Sequence, residues 1–347
     1  MTAAKQSHAQ GKGAGARNTP PRKSDSKRHG KSQLHPRNRH RNPYDFARLA
    51  KSSPELNGYL RVGPYGDTGI DFANPAAVKA LNRALLLHFY GIKGWDIPAG
   101  YLCPPVPGRA DYIHVLADLL SSTNGGSLPP GEQIRVLDIG TGANCIYPLL
   151  GHTSYGWHFV ATDLCAASLE NAAKILAANP AITHAITLRQ QSRQNAIFSG
   201  IIGEQEQFDL TLCNPPFHSS AEEACATARR KVDNLARGKG QATGKKPVLN
   251  FGGQANELWC PGGELAFIRQ MIQESQHFAT RCCWFSSLVS RQEHLPALQA
   301  ELKRLGVTRS QVITMAQGQK QSRMLAWSFL DDAGLRLWRQ QRWIASA

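Results

Sequence analysis

The sequence predicts an α/β fold: a mostly parallel, seven-stranded sheet covered by helices on both faces, with a helical segment in front of it. Two observations carry this. From residue 134 onward, short apolar or β-branched runs alternate with helical stretches of about 10–15 residues, the pattern of parallel strands joined by crossover helices. The first of those runs ends in glycines and the second in an aspartate, as expected where a ligand sits outside the carboxyl ends of the strands.

In chain order the elements follow from local chemistry. Residues 1–34 are rich in Gly, Ser, Lys and Arg and nearly free of apolar side chains. Burial cannot offset the entropy of ordering such a segment, so it is expected to be disordered alone. From Pro43 the composition changes, and Tyr44, Phe46, Leu49, Leu56 and Leu60 fall at roughly helical spacing. A helix is expected over 75–90, with Asn74 as its N-cap and Pro75 at its first position. A second, over 109–121, runs into Ser-Ser-Thr-Asn-Gly-Gly-Ser-Leu-Pro-Pro, the clearest linker in the chain. Strands are then expected over 134–139, 157–162, 185–189, 208–213, 282–288, 311–316 and 323–330, with helices over 166–178, 264–278 and 292–305. The organisation is a basic tail (1–34), an N-terminal helical segment (35–127) and a core (128–347) carrying a basic insertion at 218–250.

The formal net charge is +15, and residues 1–42 hold eleven Lys or Arg against one acid, Asp25. Such an excess suggests a polyanionic partner; charge alone does not separate RNA from DNA or an anionic membrane, and a solubilising tail has the same composition. The eight cysteines are scattered without a C-x-x-C pair. That fits neither a disulfide framework nor a zinc site, and it points to reduced, cytosolic thiols. No metal is expected. No stretch approaches the roughly 20 apolar residues of a membrane span, and the N-terminus has no apolar signal core, so neither membrane insertion nor export is expected.

Val136-Leu137-Asp138-Ile139-Gly140-Thr141-Gly142-Ala143 is a strand entering a Gly-rich turn. Glycine permits positive φ and close approach of the backbone to a ligand. Two cofactor classes use such a turn. A dinucleotide site calls for a third glycine, but that position is Cys145, and Asp138 would oppose a pyrophosphate. A carboxylate there suits a cofactor bearing a sulfonium and an amino group. Asp163, at the end of the second strand, can accept hydrogen bonds from both hydroxyls of a ribose, which NAD and S-adenosylmethionine share. The turn and Asp163 together leave methyltransferase and dehydrogenase both open.

Asn214-Pro215-Pro216-Phe217 follows the fourth strand and is the most specific feature of the chain. Its two prolines remove two backbone donors and restrict the torsions around them, leaving carbonyls free to accept from a ligand. An exocyclic amine on an aromatic ring is a poor nucleophile, because its lone pair is delocalised into the ring. The Asn214 side-chain oxygen and the Pro215 carbonyl can each accept one amine hydrogen. That draws the nitrogen toward tetrahedral geometry, while Phe217 offers a face for stacking. Alignment and charge stabilisation, rather than a strong base, would carry such a transfer.

With these residues in view, the sequence resembles the class I, Rossmann-like methyltransferases that act on amino nitrogens of nucleobases. More narrowly, it is similar to the bacterial 23S rRNA adenine-N6 methyltransferases of the RlmF type, whose eukaryotic relatives methylate an adenine in U6 small nuclear RNA. The resemblance runs from about His35 to Phe329. Beside the two motifs it rests on His35-Pro36-Arg37-Asn38, Asp45-Phe46-Ala47, Ile97-Pro98, Val106-Pro107-Gly108-Arg109 with Tyr112-Ile113-His114, Cys145-Ile146-Tyr147-Pro148-Leu149, Gly262-Gly263-Glu264 and Leu325-Ala326-Trp327-Ser328-Phe329. It implies S-adenosylmethionine as cofactor, bound by Arg109 at the methionine carboxylate, by Asp138, Gly140, Gly142, Asp163 and Asn214, and by Ser192 near the adenine. It also implies that the insertion, through Arg229, Arg230 and Lys231, and the segment of Arg37 and Asn38 contact RNA. Reaching N6 in structured RNA requires an unpaired or flipped adenine.

The expected protein is thus a cytoplasmic, monomeric methyltransferase acting on 23S ribosomal RNA or a large-subunit precursor. Three rivals remain. A DNA adenine methyltransferase shares the core but usually carries a target-recognition domain, and none is visible. A protein glutamine-N5 methyltransferase favours Tyr at the fourth position of the tetrapeptide and has no use for a polybasic tail. A non-catalytic RNA-binding assembly factor would have no reason to keep Asp138, Gly140, Gly142, Asp163 and Asn214.

Overall fold

The computed structural model describes Met1 and residues 34–63, 66–224, 254–317 and 320–344. All the elements below belong to one unit, Gln33–Ala347. The basic tail, save its two ends, and residues 225–250 of the insertion lie outside the described residues.

In the N-terminal segment, α1 (Phe46–Ser52) is capped by Asp45, whose side chain accepts from Arg48 N. It stops where Pro54 disfavours the helical conformation in the residue before it, and Ser53 takes φ −134° and ψ 88°. The helical spacing read over 44–60 therefore resolves into α1, a 3-10 segment over Pro54–Tyr59 and, from Leu60, a hairpin of β1 (Leu60–Val62) and β2 (Thr68–Ile70). α2 (Pro75–Tyr90) begins as expected, with Asn74 accepting from Ala76 N, and ends on Gly91 at φ 69°. α3 (Val106–Thr123) extends beyond its expected span at both ends and is buried along most of its length.

The sheet has the order β5-β4-β3-β6-β7-β9-β8. β3 (Arg135–Ile139), β4 (His158–Asp163), β5 (Ile186–Gln190), β6 (Phe208–Cys213) and β7 (Cys282–Val289) are parallel. The hairpin of β8 (Arg309–Gln317) and β9 (Lys320–Ser328) closes the sheet, with β9 antiparallel to β7. β6 and β7 are buried at every position, which is why they read as continuous runs rather than alternating ones. The chain runs outward from β3 to β4 and β5, then returns to β6 on the other side of β3. Strand order reverses there, with Val136 opposite Leu210 and Ile139 opposite Cys213.

α4 (Ile146–Tyr155) was not legible from periodicity. It is buried from Ile146 to Gly151, so it has no polar face to set a period. Pro148 lies in its first turn, where the backbone N–H lacks an intrahelical partner in any case. Gly151 lets it lie close on β4: a Cβ there would come within 2.3 Å of the Phe159 ring. α5 (Ala166–Ala177), α6 (Gly263–Ser275) and α7 (Leu295–Arg304) fall where expected.

A last helix, α8 (Asp332–Arg342), docks the C-terminus through one carboxylate. Asp209, fully buried on β6, accepts at Oδ1 from the Trp338 indole (2.8 Å), the Trp343 indole (2.8 Å) and Arg342 Nε (2.9 Å). Its Oδ2 accepts from Arg342 Nη2 and from Arg135 N, both at 2.8 Å. Removing one partner of a buried pair leaves the other charge uncompensated. Asp209→Asn should therefore cost about 3–5 kcal/mol of stability, read as a lowered urea midpoint. A midpoint unchanged from wild type would show that the two indoles and Arg342 find other partners.

Candidate active site

A cavity of about 760 Å³ opens at the strand-order reversal. Its walls come from the Gly-rich turn after β3, the end of β4, the loop after β5 and the tetrapeptide after β6. The parallel pairing of β3 with β6 delivers Gly140 and Asn214 from neighbouring strands at one level. Arg109, Gly140, Gly142, Asp163, Ser192, Asn214 and Pro216 all line it.

The polar groups around the cavity fall into two kinds. Some are already used. Asp163 accepts from Gly142 N at Oδ2 (2.9 Å) and from Cys165 N at Oδ1 (2.8 Å), which fixes the carboxylate and still leaves one lone pair on each oxygen. Gly140 and Gly142 have φ of 74° and 65°, and Gly140 N and Thr141 N donate to Thr162 O at 2.9 and 2.8 Å. Cys145 keeps a left-handed φ of 49° without being glycine, fully buried at the start of α4.

The others are left unpaired. Both oxygens of Asp138, the side-chain oxygen of Asn214 and Nε of Arg109 are buried with no hydrogen-bond partner among the described residues. Burial pushes the Asp138 carboxyl up to about 7. Arg109 is held by Tyr147, donating from Nη1 to its hydroxyl at 2.6 Å and lying over its ring at 5.5 Å. Buried polar groups are nearly always satisfied, so the unpaired Asn214 oxygen and Arg109 Nε on the cavity wall, with Asp138 next to the lining residue Ile139, point to a ligand that completes them. A cation beside Asp138, a carboxylate on Arg109 and an amine on Asn214 would do so.

A segment that carried no sequence signal roofs the cavity. Residues 254–261 supply Glu257, Trp259, Cys260 and Pro261 to its lining. One edge of this strap pairs with the residue after the tetrapeptide: His218 N donates to Leu258 O and Cys260 N to His218 O, both at 3.0 Å. The other edge ties to the N-terminal segment, Leu102 N donating to Glu257 Oε2 at 3.1 Å. Gly263 and Glu264 anchor its far end. Glu264 is buried and accepts from Ser290 N (2.6 Å) and His294 Nδ1 (2.7 Å).

One expectation needs revision. Asn38 does not face outward: it is buried, donates to Pro107 O (2.9 Å) and Asp111 Oδ1 (2.8 Å), and accepts from His40 N (2.9 Å). Arg37 donates to Asp118 Oδ1 (2.5 Å) and His114 O (3.0 Å) and lies over the Tyr155 ring. Together with His35, whose N donates to Asp111 Oδ1 at 2.7 Å, these residues tie the segment to α3, with the Arg37 side chain still exposed. The Pro215 ring is buried and the Phe217 ring half-buried, and neither ring lines the cavity; the aromatic side chains that do are Tyr147, Trp259 and Phe267. Arg229, Arg230 and Lys231 lie outside the described residues. Among the described residues no group of three or more His, Cys, Asp or Glu is arranged to hold a metal, and no helix is long and apolar enough to cross a membrane.

Comparison with known proteins bears on this site. Residues 28–331 match the model of a family described as RNA methyltransferase. The chain is 56% identical over 322 residues, 93% of its length and 95% of the relative's, to ribosomal RNA large subunit methyltransferase F of Pseudomonas aeruginosa strain LESB58. It is 52% identical over 318 residues to the protein of the same name from Marinomonas sp. strain MWYL1, covering 92% and 97% of the two chains. Among solved structures it resembles the catalytic domain of hMettl16 in complex with a MAT2A 3′UTR hairpin, with a TM-score of 0.70, 32% identity and coverage of 87% and 97%. It also resembles the N-terminal domain of human METTL16 in complex with SAH, with a TM-score of 0.68, 30% identity and coverage of 86% and 99%.

The raised carboxyl of Asp138 has a consequence for the ligand-free protein. Because its folded pKa of about 7 lies above the ordinary 3.8 of an aspartate, the native state holds the proton more tightly than the unfolded chain. The corresponding stability is fully present below the unfolded value and is lost as pH rises to about 7. Asp138→Asn cannot ionise, so at pH 8 it should be more stable than wild type by on the order of 4 kcal/mol. The difference should shrink toward zero near the unfolded value. Urea unfolding at both ends of that range checks it; equal stability at pH 8 would mean that the cavity tolerates the bare carboxylate.

Proposed function

The chain belongs to the RNA methyltransferase family, and on that premise we propose that it methylates the N6 amine of an adenine in large-subunit ribosomal RNA, with S-adenosylmethionine as donor. The observation that carries the chemistry is the buried, unpartnered side-chain oxygen of Asn214 on the wall of the cavity. The ribosomal substrate comes from the relatives' names. The adenine comes from the tetrapeptide and from the resemblance it carries.

The residues present fit the cofactor. Arg109, steadied by Tyr147, offers a guanidinium to the methionine carboxylate. Asp138 has two vacant acceptors for the positively charged end, and Asp163 offers its remaining lone pairs to the ribose. No Cβ stands on Gly140, and one added there would meet nothing within 4 Å, so the turn leaves room for the ligand. Ser192, exposed on the cavity wall, is a hydroxyl for the adenine end.

S-adenosylmethionine supplies a methyl group made electrophilic by its sulfonium. Asn214 Oδ1 accepts one hydrogen of the target amine, and the Pro215 carbonyl accepts the other. The two acceptors pull the nitrogen out of conjugation and aim its lone pair. Pro216 holds the turn rigid, and Trp259 or Phe267 gives the base an aromatic face that Phe217 does not offer within the cavity. The proton is lost after transfer, when the amine has become strongly acidic, so no side chain need act as a strong base.

The N-terminal segment covers the cofactor: Leu102, Pro104 and Arg109 line the cavity. The phosphate contacts fall to the tail and to the insertion, Arg229, Arg230 and Lys231 among them, and the protein works in the cytoplasm as a monomer. The reading is tested by methyl transfer to total RNA from cells lacking this protein, followed by nucleoside analysis. N6-methyladenosine from the large ribosomal RNA is the expected product; label in DNA or protein alone would sink the RNA assignment. In the same assay Asn214→Ala should lower turnover at least about a hundredfold, on the order of 3 kcal/mol, with cofactor affinity little changed. Wild-type turnover would remove Asn214 from the mechanism.

A further inference from the structure

We infer that Glu257 is a second acceptor for the ribose hydroxyls of the cofactor, working with Asp163. The inference rests on the cofactor reading above and extends the site to a residue in the roof.

Glu257 lines the cavity from the short helical turn Ala255–Leu258. Its two oxygens are unlike. Oε2 accepts both backbone donors that reach the side chain, Leu102 N at 3.1 Å and Gln254 N at 2.8 Å. Oε1 accepts no hydrogen bond from the described residues and lies over Gly142, 3.3 Å from where a Cβ on that glycine would stand. Asp163 meets the same glycine at its N–H, 2.9 Å from Oδ2. One glycine is thus bordered by two carboxylates, each fixed by two backbone N–H groups and each with acceptor capacity left over.

Fixing a carboxylate in this way has a cost, since burial and the negative charge of Asp163 hold the Glu257 carboxyl above its usual range. A hydroxyl that donates to Oε1 offsets that cost. A vicinal diol has two hydroxyls and can donate one to each acid. Asp138 is left for the positive charge and Arg109 for the carboxylate, so every charged group around the cavity has a complement on the cofactor. The bare Cα of Gly142 is what lets the roof come this close: a side chain there would also press on Asn144 Nδ2, 3.2 Å away.

The test is calorimetric titration of wild type, Glu257→Ala and Glu257→Gln with S-adenosylhomocysteine, 5′-methylthioadenosine and the 2′-deoxy and 3′-deoxy forms of the latter. A charge-assisted hydrogen bond predicts that Glu257→Ala weakens the first two ligands alike, by about tenfold to a hundredfold. For the deoxy compound that lacks the bonded hydroxyl, wild type and variant should bind equally. Glu257→Gln keeps an oxygen for Leu102 N and Gln254 N, so it carries the test if the alanine variant does not fold. A loss with S-adenosylhomocysteine that is absent with methylthioadenosine would overturn the proposal by placing Glu257 at the amino-acid end. The same loss with every analogue would overturn it by making Glu257 a structural tie. Wild type failing to bind S-adenosylhomocysteine would instead discard the cofactor reading, and this proposal with it.

Discussion

The pairing of β3 with β6 is the constraint on which the rest depends. Ile139 stands opposite Cys213, so the Gly-rich turn and the tetrapeptide leave adjacent parallel strands at the same level. A shift of one residue along either strand would turn every side chain to the other face of the sheet. It would bury Asn214 in the packing or carry Gly140 out of level with it. The register is protected by the complete burial of β6 and by the near-complete burial of β3, which leave no polar face to accommodate an alternative.

The same sheet treats two buried aspartates in opposite ways. Asp209, at the start of β6, receives hydrogen bonds from two indoles, a guanidinium and a backbone N–H, and it ties the C-terminal helix to the sheet. Asp138, near the end of β3, has at most the Thr141 hydroxyl beside it. Both are fully buried. A carboxylate that the fold satisfies belongs to the scaffold, and one that the fold leaves unsatisfied is reserved for a ligand. The distinction is invisible in sequence, where each is a single acid inside a β-branched run. It decides which of them can meet the positive charge of the cofactor.

Much of the fold was legible because burial and periodicity leave marks along the chain, and the exceptions follow from where those marks fail. The strand runs and α5 to α7 have the lengths and bounding residues that local rules anticipate. α4 is buried on almost every side and carries a proline and a glycine, so nothing local declares it a helix. α8 lies beyond the last motif, and its role depends on Asp209, more than a hundred residues earlier in the chain. The segment of His35, Arg37 and Asn38 is basic and polar, which suits RNA; its partners Asp111 and Asp118 are on α3, over seventy residues away, and they bury Asn38 while Arg37 stays exposed. The candidate site divides in the same way. Asp138, Asp163 and Asn214 announce themselves because each ends a strand. Glu257 sits in no motif and becomes visible only once Leu102 and Gly142 are seen beside it.

Charge distribution extends this logic to the substrate. Residues 2–33 carry eight Lys or Arg against one acid, and residues 225–253 seven against one, so thirteen of the fifteen net positive charges lie in two segments. The rest of the chain is close to neutral, and many of its guanidinium groups are committed to acids: Arg37 to Asp118, Arg83 to Glu55 and Asp96, Arg189 to Glu206, Arg291 to Glu223 and Arg342 to Asp209. The chain's uncompensated positive charge is thus concentrated in those two segments. The division of labour is then physical. The cavity at the edge of the sheet suits a small cationic cofactor, through geometry that salt barely screens. The composition of the two basic segments suits a polyanion held through counterion release, which salt weakens strongly and which carries little sequence preference. A grip on phosphates of that kind does not choose among bases, so any choice of base falls to the cavity beneath the 254–261 strap rather than to the strength of the grip.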